Sequence, residues 1–107
     1  MNIREKILIV EDDVITNNLV SDYLTDAGHT VYSAYDGSEA LKRFHEKPAD
    51  LIILDIMLPS VNGIQVLREI RQTSSVPILM LTALSDEKNQ INSFDALADD
   101  YITKPFA

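Results

Sequence analysis

Two stretches of this chain hold four apolar residues without a polar break, Ile7-Leu8-Ile9-Val10 and Leu51-Ile52-Ile53-Leu54, and acids follow both. Runs this short and this apolar read as strands buried on both faces, as in a parallel sheet sandwiched between helices. Val76-Pro77-Ile78-Leu79-Met80-Leu81 is a third such run, with its proline near the start, where a strand tolerates it. Thr30 to Ala34 is short and β-rich, and a last strand is expected over about Asp100 to Thr103.

Between these runs the period changes to that of a helix. Ile15, Leu19, Val20, Tyr23, Leu24 and Ala27 recur near 3.6 residues, with Asp13 placed to cap the helix and Gly28 to end it. Asp36-Gly37 reads as a turn. Ala40, Leu41 and Phe44 then mark one face of a second helix that stops before Pro48. A loop from Ile56 to Asn62 leads into a third helix from about Gly63, with Val66, Leu67 and Ile70 inward. Ser85-Asp86-Glu87 reads as the cap and acidic first turn of a fourth helix carrying Ile91, Phe94 and Ala98. Strands that alternate with helices predict a doubly wound α/β fold with a parallel sheet and right-handed crossovers.

Length and charge narrow the function classes. A chain of 107 residues makes one domain with one core. Its net charge of −8 argues against binding nucleic acid through phosphate neutralisation. With no cysteine there is neither a disulfide framework nor a thiolate metal site. The apolar run after Lys6 is too short for a signal peptide, and no segment reaches membrane-span length, so a cytoplasmic domain is expected.

In a parallel α/β sheet all the strand C-termini share one edge, where ligands collect. That edge would gather Glu11, Asp12 and Asp13 after the first strand, Asp55 ending the third, Thr82 after the fourth and Lys104 after the fifth. Asp55 is either a helix cap or a reactive group, and the Ile56-Met57-Leu58-Pro59 segment that follows does not open a helix. Clustered carboxylates must hold protons, bind a cation or meet a base. An oxygen-only donor set suits Mg²⁺ or a similar hard ion, which keeps waters and accepts phosphate oxygens. Carboxylate, hard cation, hydroxyl and lysine together make a kit for phosphoryl transfer onto an aspartate.

Four spaced motifs, Ile7 to Asp13, Leu54 to Pro59 with Gly63, Leu81 to Ala83, and Asp99 to Phe106, resemble those of the receiver domain of two-component response regulators. The resemblance spans essentially residues 1–107 and is greatest to regulators with a C-terminal winged-helix domain. It implies a flavodoxin-like sheet of order 2-1-3-4-5, with a fifth helix expected beyond Ala107. It makes Asp55 the phosphoacceptor, charged by a sensor histidine kinase. It makes Asp12 a direct Mg²⁺ ligand with Asp55 and the Met57 carbonyl. Glu11 would act through water, and Asp13 would be a further acid that shares its place with capping. Thr82 with Ala83, Lys104 and the aromatic Tyr101 would bind the phosphoryl group and throw the switch, next to a cis Lys104-Pro105 peptide.

The chain would transfer and release only its own phosphoryl group, and would dimerise when phosphorylated in the longer protein. It would reach DNA only through a C-terminal domain and would not engage a membrane. Two departures stand out: Leu97 occupies a position where the family has glycine, and a sheet face beside the last strand would lack its covering helix. A Mg²⁺-dependent aspartyl-phosphate phosphohydrolase is the alternative, but such enzymes carry a second aspartate where Met57 stands. A flavodoxin-type cofactor site would need a Gly- or Ser-rich loop where Glu11-Asp12-Asp13 stand.

Overall fold

The computed structural model describes residues 5–56, 58–59, 61–82 and 100–103, the backbone alone at 82 and 100–103. Five strands run β1 (Lys6–Val10), β2 (Thr30–Ala34), β3 (Leu51–Asp55), β4 (Ile78–Thr82) and β5 (Asp100–Thr103). Three helices are described with them: α1 (Val14–Asp26), α2 (Gly37–Glu46) and α3 (Gly63–Arg71). The expected fourth helix lies outside the described residues. All neighbouring strands pair in parallel, in the order β2-β1-β3-β4-β5.

The side-chain period of two splits the central strands between two cores. Leu8, Val10, Ile52, Leu54, Ile78 and Met80 point to one face, where Ala40 and Phe44 of α2 and Ile64, Val66, Leu67 and Ile70 of α3 cover them. Ile7, Ile9, Ile53 and Leu81 point to the other, against Val20 and Leu24 of α1. A run of consecutive apolar residues is what a strand covered on both faces requires.

The helix ends follow their caps. Asp13 caps α1 by accepting from the Thr16 N–H at 3.2 Å and from its hydroxyl. Gly28 follows the helix at φ +100, the left-handed conformation that favours glycine. Asp36 accepts from Glu39 N–H at 2.7 Å, and Glu39 reaches back to Tyr35 N–H at 2.7 Å, a reciprocal cap. The Asp36-Gly37 pair is therefore the cap and first residue of α2 rather than a separate turn.

The apolar stripe expected to seat α1 divides. Val20 and Leu24 enter the core, whereas Ile15, Leu19 and Tyr23 are exposed, along with Val14. The line of α1 that faces the sheet is Asn17, Val20 and Leu24, so the apolar spacing alone did not pick out the inward face. The sheet face beside the last strand, expected to be bare, lies outside the described side chains. Among the described residues the large exposed apolar side chains lie mainly on α1.

Candidate functional site

The strand order reverses at β1 and β3: from β1 the chain passes to β2 on one side and later to β3 on the other. Crevices at such switch points, outside the carboxyl ends of the strands, are where open α/β sheets bind ligands. Val10 pairs in register with Leu54, so Glu11 and Asp55 come next on adjacent strands. One carboxylate oxygen each from Glu11, Asp12 and Asp55 lies within 4.8 Å of the others. Glu11 and Asp55 are buried, at 1% and 4% exposure, while Asp12 lies exposed at the rim.

Two unit charges at this separation repel by about 3.5 kcal/mol at an effective dielectric of 20. Buried carboxylates this close need a cation, a proton or a basic partner. The donor set is all oxygen, with no imidazole or thiolate, and is closed on the Glu11 and Asp55 side and open on the Asp12 side. That chemistry fits a hard divalent ion that keeps part of its water shell.

The backbone around the acids is tightly held. Glu11 N–H donates to the Ala34 carbonyl at 3.1 Å, tying the end of β1 to the end of β2. Beyond Asp55, Ile56 N–H donates to the Leu81 carbonyl at 3.2 Å, which carries the β3–β4 ladder one residue farther. Gly63 N–H donates to the Ile56 carbonyl at 2.8 Å. A Cβ at Gly63 would stand 2.1 Å from the Asp55 carbonyl oxygen and 2.7 Å from Ile56 Cα. Only a residue without a side chain lets the first turn of α3 close against the backbone of Asp55.

The remaining expected residues fall as follows. Asp13 stands apart from the carboxylate trio, with its side chain engaged by Thr16. Asp55 pairs with Leu81, so Thr82 sits one residue farther along the adjacent strand, and Thr82 in turn pairs with Thr103. That register brings Thr82 and the end of β5 to the same edge as Asp55. Tyr101 lies on β5 opposite Met80. Met57, Ala83, Leu97, Lys104 and the Lys104-Pro105 peptide lie outside the described residues.

Sequence reasoning missed Asn17. It is fully buried, its amide nitrogen donates to the Glu11 carbonyl at 3.1 Å, and its oxygen accepts from the Ser33 hydroxyl at 2.6 Å. The available signal was an amide at the start of the Asn17, Val20, Leu24 spacing. A polar residue in a buried register has to find partners.

Comparison with known proteins agrees with this geometry. The family model described as response regulator receiver domain matches residues 7–107. The regulatory protein VanRB of Enterococcus faecalis is 54% identical over 101 residues, covering 94% of this chain and 46% of that protein. The uncharacterized transcriptional regulatory protein YclJ of Bacillus subtilis is 47% identical over 102 residues, covering 95% of this chain and 45% of that protein. The chain thus spans about half the length of these curated relatives. Among solved structures, a putative response regulator from Chloroflexus aurantiacus superposes with a TM-score of 0.88 at 37% identity, covering 98% of this chain and 88% of that one. The chemotaxis protein CheY4 of Vibrio cholerae gives 0.87 at 36% identity, covering 98% and 90%.

Proposed function

The chain belongs to the response regulator receiver domain family, and from that premise we propose that residues 1–107 form a phosphorylation-driven switch with Asp55 as phosphoacceptor. The observation that carries the reading is the meeting of Glu11, Asp12 and Asp55 within 4.8 Å at the end of β1 and β3. An Asp55 carboxylate oxygen attacks phosphorus as the bond to the donor, a phosphohistidine of a sensor histidine kinase, breaks. Asp12 and Asp55, with the Met57 carbonyl, hold Mg²⁺, while Glu11 acts through water and Asp13 serves chiefly as the cap of α1. Bound Mg²⁺ supplies positive charge against the phosphoryl oxygens.

Thr82 donates its hydroxyl to a phosphoryl oxygen beside Ala83, Lys104 pairs with another, and Tyr101 follows Thr82 inward. An acyl phosphate puts about two negative charges and three acceptor oxygens where one charge stood. The phosphoryl oxygens offer Thr82 and Lys104 new acceptors in that state, so the segment after β4 and the surface of β5 shift population. The chain acts on its own side chain and turns over no separate substrate. Several relatives about twice its length are named as transcriptional regulators or regulatory proteins, which supports a longer protein that dimerises on phosphorylation and meets DNA through another domain. A cytoplasmic setting fits this role; among the described residues no helix is long and apolar enough to cross a membrane.

Incubation with acetyl phosphate and Mg²⁺ tests the assignment. Intact mass should rise by one phosphoryl group, Asp55→Asn should abolish the adduct, and EDTA should prevent it. An adduct that survives in Asp55→Asn moves the site elsewhere.

A further inference from the structure

The acids of the site hang from a loop whose backbone is fixed by a residue outside it. Asn17 lies one turn into α1 and is fully buried. Asparagine is a mediocre helix former, and its buried amide costs free energy unless its hydrogen bonds are made. Here they are. The Asn17 amide nitrogen donates to the Glu11 carbonyl at 3.1 Å and, at a longer 3.5 Å, to the Ala34 carbonyl. The Asn17 oxygen accepts from the Ser33 hydroxyl at 2.6 Å. These partners also fix which way the amide faces, because two carbonyls can only accept and the hydroxyl must then donate. The same Ala34 carbonyl takes the Glu11 N–H at 3.1 Å.

Glu11 is therefore clamped on both sides of its Cα, its N–H by β2 and its carbonyl by Asn17. The carbonyl that Asn17 holds belongs to the peptide linking Glu11 to Asp12. Fixing that plane fixes the direction in which two of the three clustered carboxylates leave the chain. An apolar side chain would fill the same space without the desolvation cost, so packing alone does not explain an amide here. We propose that Asn17, braced by Ser33, is a positioning residue that orients Glu11 and Asp12 for divalent-cation binding.

This inference rests on the metal-binding reading above, and the test separates the two. Mn²⁺ binding to the whole chain is measured by the loss of free-ion EPR signal for wild type, Asp12→Asn, Asn17→Leu, Ser33→Ala and Ile70→Val. Asn17→Leu keeps the volume and removes the polar contacts. It should raise the Mn²⁺ dissociation constant about tenfold, the lower end for partners that orient metal ligands. Ser33→Ala should raise it by a smaller factor. Ile70→Val, which trims the α3 core far from the loop, should lower the thermal midpoint without changing Mn²⁺ affinity. Acetyl-phosphate labelling of Asn17→Leu should be slow at low Mg²⁺ and recover at saturating Mg²⁺, a pattern that general loosening of the fold does not produce.

A folded Asn17→Leu with wild-type Mn²⁺ affinity overturns the positioning role, as does an Ile70→Val that weakens binding equally. If Asn17→Leu does not fold, Ser33→Ala decides, and unchanged affinity there overturns the role. Loss of Mn²⁺ in Asp12→Asn alone sinks only the part played by Asn17. A wild-type chain that ignores Mn²⁺ sinks the metal reading and the positioning with it.

Discussion

At the scale of single residues, the chain gathers carboxylates where it would bind a cation. Glu11 and Asp55 are both buried and within 4.8 Å of each other and of Asp12. Neutralising one of them in metal-free buffer should stabilise the fold. Asp55→Asn is expected to gain about 1–2 kcal/mol in denaturant unfolding with EDTA, part of the roughly 3.5 kcal/mol pair repulsion at a dielectric of 20. Wild type should be stabilised by Mg²⁺ by about 2.7 kcal/mol at a hundredfold excess over its dissociation constant, and Asp55→Asn by less. An Asp55→Asn chain less stable than wild type in EDTA would show that the carboxylates are not strained.

A second residue gives a pH signature remote from the site. Burial, and then the Asp50 carboxylate, raise the Tyr32 phenol above its usual 10.0. Its hydroxyl donates to the Lys47 carbonyl, and the Lys47 ammonium lies 5.5 Å from the ring centre. A raised pKa means the folded state holds its proton longer than the unfolded chain. The stabilisation is thus complete below pH 10 and lost as pH climbs through the folded value. Urea midpoints should fall above pH 10, and Tyr32→Phe should flatten that fall while lowering stability at neutral pH. An equally steep alkaline fall in the mutant would assign it to other groups.

At the scale of elements, α3 begins in close contact with the end of β3. Gly63 leaves no room for a Cβ, because the Asp55 carbonyl oxygen would lie 2.1 Å from it. Asn62 caps the helix by accepting from Ile64 N–H at 2.8 Å, which fixes the approach from the other side. Gly63→Ala must therefore push α3 outward or tilt the Asp55 peptide. Destabilisation of about 1–3 kcal/mol is expected, in the range of overpacked sites, with slower acetyl-phosphate labelling even below the unfolding transition. Labelling at the wild-type rate in the folded mutant would separate the helix start from the chemistry.

The elements also show what a sequence can and cannot convey. The central strands were legible because burial on both faces leaves no room for a polar break, as at Ile7 to Val10. The placing of Glu11, Asp12 and Asp55 at one edge followed once those strands were parallel. The inward face of α1 was not legible. Ile15, Leu19 and Tyr23 keep a helical spacing as regular as that of the inward line, and yet they face solvent. Asn17 escaped for the opposite reason, since composition marks an amide as polar and surface-seeking, and only the ends of β1 and β2 supply its partners. Asp36-Gly37 looked like a turn because the same pair serves both turns and helix caps.

At the scale of the molecule, the two faces of the sheet have different supports. One core joins the central strands to α2 and α3, and the other joins them to α1. The strands β1 and β3, which carry the acids, belong to both cores, as does β4, so the acidic rim sits on a part of the sheet braced from both faces. The strand β4 pairs with β3 on one side and with β5 on the other, and Thr82 is its last residue. A charge added at Asp55 would reach β5 and the segment after β4 through Thr82, by the register of β3, β4 and β5. Hydrogen exchange read by mass spectrometry should register this asymmetry. Acetyl phosphate with Mg²⁺ is expected to change protection in peptides spanning residues 82–104, with peptides from β1, β2 and α2 unmoved. The same pattern should vanish in Asp55→Asn. Altered exchange spread evenly over the chain would mean that phosphorylation changes global stability rather than throwing a switch, because a two-state element must be biased locally for one surface to answer.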